Sequence, residues 1–298
     1  MHLLRRLWRL PFLLLPLATF FWSVNSIVGR YMRAEVPPIA LSFCRWAGAS
    51  IIILPFAVKY LKEDWPLLRR HLGLMLFLAL TGVAMFNTLL YSGLQSTVAL
   101  NAFLIQSTMP VLIMLFSFFL FRDRVNHAQK AGVALSLAGV VIVIARGNLE
   151  VLLTLSLNRG DILIFIAAIG YALYSVMLRR RPRGLHPISF IAFTFVTGTL
   201  MLVPLFLWET LTVKALTFNP ATMMTIIYVA IFPSIVSYFC YNRGIELIGA
   251  NLGGLFIHLM PVFGTTMAIL FLGERFLWFH GVGIIMIVAG IGLTLYHK

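Results

Sequence analysis

The chain has 298 residues, 61% of them hydrophobic and only 11% charged, with a formal net charge of +14. Soluble domains average about 45–50% apolar and about 25% charged residues, so the composition excludes an ordinary soluble domain and predicts an all-α membrane protein. The basic residues sit in short loops, as orientation signals do, and no separate basic domain offers itself to nucleic acid.

Ten apolar runs follow one another, each near the length that crosses a hydrocarbon core of about 30 Å. They cover residues 12–32, 38–58, 72–92, 98–120, 128–145, 160–178, 187–208, 222–242, 250–272 and 279–296. The start of the chain, with Arg5, Arg6 and Arg9 before an apolar stretch, has the form of a signal peptide. It lacks a small-residue cleavage site, so a retained first span is expected. Pro37-Pro38, Trp65-Pro66, Asn219-Pro220 and residues 179–184 read as interruptions between spans. Cys44 and Cys240 lie inside apolar runs without metal-ligand spacing and read as packing residues. No metal, cofactor or disulfide framework is expected.

Polar residues recur along the spans at helical spacing. Span one places Trp22, Asn25, Ser26 and Gly29 on one face. Span two carries Arg45, seven residues from Pro38 and so about 10 Å deep. Either its guanidinium snorkels to the outer interface, or it faces inward and holds a substrate carboxylate by paired N–H bonds. Span three aligns Asn87 with Tyr91, and span four carries Ser107 and Pro110. Gly132, Ser136 and Gly139 in span five permit close helix packing. Span six offers Tyr171, Tyr174 and Ser175, span eight Tyr238 and Asn242, and span nine His258 and Pro261. Gly281, Gly283, Gly290 and Gly292 in span ten are again packing positions. Each polar residue has two readings. One is helix glue, worth roughly 0.6–2 kcal/mol per hydrogen bond; the other is the lining of an aqueous cavity. His258 is either a neutral packed ring or a proton carrier. Pro110 and Pro261 each free a carbonyl in mid-helix and are the candidate hinges, with static kinks as the alternative.

The two halves repeat. Shifting residues 99–144 by 151 sets Met109-Pro110-Val111 on Met260-Pro261-Val262, Asp123-Arg124 on Glu274-Arg275, Gly132 on Gly283 and Ala138-Gly139 on Ala289-Gly290. The polar faces repeat too. A shift of 149 takes Trp22, Asn25 and Ser26 to Tyr171, Tyr174 and Ser175. A shift of 151 takes Asn87 and Tyr91 to Tyr238 and Asn242, and Ser107 to His258. An internal repeat in a membrane chain predicts two structural halves around a shared central site. Lys and Arg set the orientation. With both ends in the cytoplasm, sixteen lie inside, including Arg70, Arg122, Arg124, Lys130, Arg179 to Arg183, Arg243 and Lys298. Only Arg30, Arg33, Arg146, Arg159, Lys214 and Arg275 lie outside. Five spans per half is an odd number, so the halves, residues 1–148 and 149–298, are expected to be inverted relative to each other.

Several segments together resemble the EamA-type branch of the drug/metabolite transporter superfamily. They are Phe21-Trp22-Ser23-Val24-Asn25 in span one, Phe43-Cys44-Arg45 in span two, and Met109-Pro110 in span four. Gly160-Asp161 and Tyr171-Ala172-Leu173-Tyr174-Ser175 in span six, and Met260-Pro261 with Leu272-Gly273-Glu274 in span nine, complete the set. Phe121-Arg122-Asp123 departs from the Leu-Gly-Glu that such families often show there. The resemblance covers nearly the whole chain. It implies ten helices, alternating access and a central cavity lined by spans one to four and six to nine.

The sequence therefore reads as a secondary transporter in a bacterial inner membrane that exports small organic metabolites, amino acids or related compounds, with no cofactor. The expected partners are that small molecule and the lipid bilayer; nothing in the sequence sets an oligomeric state. A facilitator or exchanger of other organic or toxic compounds is the alternative. The spans carry no His-Glu-x-x-His, no Gly-x-Ser-x-Gly and no paired carboxylates, which argues against an intramembrane enzyme. A channel would call for repeated charged or carbonyl rings.

Overall fold

A computed structural model of the chain describes residues 8–148, 150–151, 158–272 and 276–296. Arg5, Arg6, Gly273, Glu274, Arg275 and Lys298 lie outside the described residues, so the expected inside and outside placing of those charges is not part of the fold account.

The described chain is helical from end to end. In order, α1 is Pro11–Tyr31, α2 Pro38–Arg70, α3 Leu72–Ser96, α4 Ala99–Gln106, α5 Met109–Phe121 and α6 His127–Ile144. Then follow α7 Arg159–Met177, α8 Pro187–Thr212, α9 Pro220–Ile248, α10 Ala250–Gly254, α11 Leu259–Leu272 and α12 Trp278–Tyr296. Among the described residues nine helical stretches are long and apolar enough to cross a membrane. The segment from α10 to α11 is joined by a 3-10 turn, Leu255–His258.

Local chemistry starts and stops these helices. Asn126 caps α6 and Asn158 caps α7, each in a reciprocal box with Gln129 and Asp161. Asn219 accepts from Thr222 N ahead of Pro220, using proline where its missing N–H costs nothing. Arg122, in the left-handed region at φ 58°, closes α5. The expected break at Trp65-Pro66 is absent: α2 runs through both to Arg70. What outweighs the lost hydrogen bond is packing beyond the membrane run. Leu68 is fully buried, Tyr60 stacks on His186 at 3.8 Å, and Asp64 accepts from His186 N at 3.0 Å. The prolines of spans four and nine also differ from expectation. Pro110 and Pro261 lie in the first turn of α5 and α11, just after a break, not in mid-helix. A proline has no amide to donate, so it fits the first turn of a restarted helix.

Packing pairs equivalent elements of the two halves. Helices α6 and α12 run antiparallel: a Cβ on Gly290 would stand 2.5 Å from Gly132 O, and one on Gly139 would stand 2.7 Å from Gly283 O. Only glycine allows that approach. Gly281 and Gly292 take no part: Gly281 meets only Phe276 of its own surroundings, and Gly292 has nothing within 4 Å. Helices α2 and α8 are likewise antiparallel, with Phe43 stacked on Phe206 at 4.2 Å and Ser50 Oγ 3.4 Å from Thr199 Oγ1. Gly93 of α3 receives Ile164 of α7, and Gly244 of α9 receives Leu15 of α1, at the same hypothetical Cβ distance of 2.5 Å. The two contacts are images of each other under the repeat.

Candidate functional site

The centre of the bundle is a packed polar and aromatic layer. It is positioned by two π-helical turns, Leu80–Met85 in α3 and Ile231–Val236 in α9, which are separated by the repeat offset. A π turn widens the helix and leaves carbonyls without their ordinary partners. Side chains from the opposite half take them. Gly82 O accepts from Tyr238 Oη. Pro233 O accepts from Trp22 Nε1 at 3.0 Å and from Arg45 Nη2 at 2.8 Å.

Arg45 anchors this layer and is 1% exposed. Its Nε donates to Ser234 Oγ at 2.6 Å. Its Nη1 reaches Asn87 Oδ1 at 2.8 Å, Tyr91 Oη at 3.0 Å and Asn25 Oδ1 at 3.2 Å. The guanidinium also lies 4.8 Å from the Trp46 ring centre. The side chain points into the bundle, not to the interface, and all of its hydrogen-bond partners are neutral.

Two hydrogen bonds in this layer correspond. Tyr91 Oη donates to Asn25 Oδ1 at 2.6 Å, and Tyr174 Oη donates to Asn242 Oδ1 at 2.9 Å. Under the repeat, Asn25 falls on Tyr174 and Tyr91 on Asn242. The same bond is thus made in both halves with the residue types exchanged. Ser26 and Ser175 each donate back to the carbonyl four residues before, Trp22 O and Tyr171 O. Ser175 also meets Tyr241 Oη at 2.9 Å. Trp22 packs edge-on to Tyr171 at 5.5 Å, and Tyr238 stands within 6.3 Å of Trp46, Tyr171 and Tyr174.

The predicted set therefore comes together: Trp22, Asn25, Ser26, Arg45, Asn87, Tyr91, Tyr171, Tyr174, Ser175, Tyr238 and Asn242 share one buried layer. Ser107 and His258 lie beside it and engage each other, His258 Nε2 at 2.9 Å from Ser107 O and Nδ1 at 2.7 Å from Ser136 Oγ. A carbonyl only accepts, so Nε2 carries the proton. The participants that escaped the sequence reading include Ser234, Tyr241, Trp46, the Gly82 carbonyl and the Pro233 carbonyl. A proline inside an apolar run was the available signal for the last, since it must disturb the helix there.

The space around this layer is uneven. Beside it lies a narrow cleft of about 10 Å³, room for about one water molecule, bordered by Trp22, Asn25, Ser26, Asn87, Gln106 and Tyr171. On the face that carries Arg179, Arg181 and Arg183, a vestibule of about 710 Å³ opens between the helices and reaches Asn242. Its wall holds the Arg181–Glu246 pair at 3.3 Å, with Arg243 on the same carboxylate at 3.1 Å. The opposite face is drawn together. There Lys214 Nζ donates to Ala34 O at 2.7 Å, Thr97 Oγ1 to Asp161 Oδ1 at 2.5 Å, and Ala40 N to Glu209 Oε2 at 2.7 Å.

Comparison with known proteins agrees with this architecture. The EamA-like transporter family profile matches twice, over residues 9–145 and 158–296. Uncharacterized transporter YyaM of Bacillus subtilis (strain 168) is 30% identical over 277 residues, covering 92% of this chain and 89% of that protein. An uncharacterized transporter of Archaeoglobus fulgidus is 27% identical over 288 residues, covering 95% and 96%. One solved crystal structure superimposes with a TM-score of 0.74 over 96% of both chains at 18% identity, a likeness of fold.

Proposed function

Because this chain belongs to the EamA-like transporter family, we propose that it is a secondary transporter exporting small organic metabolites, amino acids or related compounds, by alternating access. Its ten spans form two inverted five-helix repeats, residues 1–148 and 149–298, in a bacterial inner membrane with both ends in the cytoplasm. Three features support the inversion: the family profile matching twice, the antiparallel pairing of α6 with α12, and the π turns at one offset.

The observation that carries the reading is the contrast between faces around one central layer. A vestibule leads from the arginine-rich face to Asn242, while hydrogen bonds between the halves close the other face. That is the geometry of a carrier open to one side. Loading from the cytoplasm places cargo against Tyr174 and Asn242. Rocking of the halves about the breaks before Pro110 and Pro261 then transfers access to the Asn25–Tyr91 side. Repeat-related bonds suit this exchange, because each half can adopt what the other has left.

Uniport or exchange is the second form of this reading. Arg45 has neutral partners among the described residues, and proton antiport usually needs a buried titratable group, for which His258 beside the layer is the candidate. Counterflow in proteoliposomes with labelled amino acids and metabolites, with and without a pH gradient, tests both forms. Trp22→Ala, Asn25→Ala and Tyr174→Ala should each impair uptake while the protein still inserts; normal kinetics in all three would remove the site. Cysteine labelling near Arg70 and Lys214 should reach only the latter from outside.

A further inference from the structure

Resting on the carrier reading, we propose that the central layer binds the carboxylate of its cargo. The binding group is a donor-lined cleft made by the amides of Asn25 and Asn87 and the hydroxyl of Tyr171, with Arg45 as the positive charge behind them.

The first support is charge. Arg45 is buried, and no carboxylate among the described residues pairs with it; the ion pairs there are Arg179–Asp123, Arg181–Glu246 and Arg243–Glu246. Its acceptors Ser234, Asn25, Asn87, Tyr91 and Pro233 O solvate the guanidinium without neutralising it. A full charge inside a membrane protein is costly and is normally matched by an opposite charge. An anionic cargo supplies one.

The second support is orientation. Arg45 has only donors, so each asparagine must turn its Oδ1 toward it. That fixes the amide nitrogens on the far side. Asn87 Nδ2 is buried with no partner, and Tyr171 Oη is in the same condition. Both residues border the narrow cleft, as does Asn25. Buried donors without acceptors are rare in a folded protein and call for an explanation. The cation thus sets two amides as donors around the place where an oxyanion would sit, and charge-assisted hydrogen bonds to such an oxyanion are the strong ones.

The cleft is closed to cargo in this conformation, with room for about one water molecule. Two of the bonds made by Arg45 cross between halves, to Ser234 and to Pro233 O. Separating the halves therefore frees guanidinium donors as the cleft widens. A carboxylate arriving then replaces the lost acceptors.

The test uses the full chain in proteoliposomes loaded for counterflow with L-leucine, L-phenylalanine or L-threonine. For each that moves, the free acid and its carboxamide are compared as competitors. The parent protein should prefer the acid by at least about tenfold, which is the equivalent of 1.4 kcal/mol. Arg45→Gln should reduce that preference below about threefold. Arg45→Lys should retain part of it, which separates loss of charge from loss of fold. Asn87→Leu, which keeps Arg45 but removes one amide donor, should weaken the acid more than the carboxamide, because the donor bonds a charged oxygen more strongly than a neutral one. Equal competition by acid and carboxamide in the parent overturns the carboxylate site alone, as does an undiminished preference in Arg45→Gln. Counterflow by none of the three overturns the amino-acid carrier reading on which the site rests.

Discussion

His258 Nε2 stands 2.9 Å from the carbonyl of Ser107, the residue that occupies the place of His258 in the other repeat. Other positions that correspond under the repeat also meet: Trp46 with Phe195 at 4.7 Å, and Trp22 with Tyr171 at 5.5 Å. The imidazole also binds Ser136, so it ties both broken spans to α6. His258→Ala should lower stability by about 1–3 kcal/mol, because it leaves a buried carbonyl without its donor. His258→Asn should restore part of the loss. Thermal unfolding in detergent measures both, and an alanine variant as stable as the parent would remove the strut.

Tyr91 and Tyr174 should act in opposite senses. Each donates one hydrogen bond within its own half, Tyr91 to Asn25 toward the closed face and Tyr174 to Asn242 at the inner end of the open vestibule. Removing one hydroxyl biases a two-state carrier by about 1 kcal/mol, roughly fivefold in population. A reporter cysteine at the buried Leu94, with Cys44 and Cys240 changed to alanine, reads the closed face. Tyr91→Phe should raise its rate of labelling by an impermeant maleimide severalfold, and Tyr174→Phe should lower it or leave it unchanged. Equal effects of the two substitutions would contradict the exchange of access between them.

Much of this layer was legible because helical spacing and the repeat offset act together. Trp22, Asn25 and Ser26 share one helix face and Asn87 and Tyr91 another, and the repeat offset takes them to Tyr171, Tyr174 and Ser175 and to Tyr238 and Asn242. The π turns were not legible. Leu80 to Met85 contains no residue type that announces an extra residue per turn, and only Pro233 marks its counterpart. Nor could periodicity reveal that the centre is packed, since filling depends on how Trp22, Trp46 and four tyrosines interlock across both halves. The helix through Pro66 was missed because local propensity was outweighed by contacts with α8, which are distant in sequence.

Gly290 and Gly292, two residues apart in α12, differ sharply in space. Gly290 faces Gly132 O, where an added Cβ would stand at 2.5 Å, whereas Gly292 has nothing within 4 Å. Gly290→Ala should force α6 and α12 apart and cost about 1–3 kcal/mol, the usual range for overpacking. Gly292→Ala should be neutral or stabilise by up to about 1 kcal/mol, since alanine favours the helix without a clash. Paired unfolding measurements decide this, and equal losses would mean that α12 does not pack on α6 through this stripe.

Glu209 of α8 clasps the start of α2. Pro37 and Pro38 have no amide hydrogens, so the first free donors of α2 are Ile39 N and Ala40 N, and Glu209 accepts from both at 3.2 and 2.7 Å. The carboxylate satisfies a helix N-terminus and favours its positive dipole end. It also joins the two halves at the closed face. Glu209→Ala should therefore cost about 0.5–2 kcal/mol, the range for losing a cap, and should raise labelling of the cysteine at Leu94. Glu209→Gln keeps an acceptor oxygen but loses the charge, so it should fall between alanine and the parent in both measurements. If Glu209→Ala lowered stability without changing labelling, the carboxylate would be a cap for α2 and no part of the closure between halves.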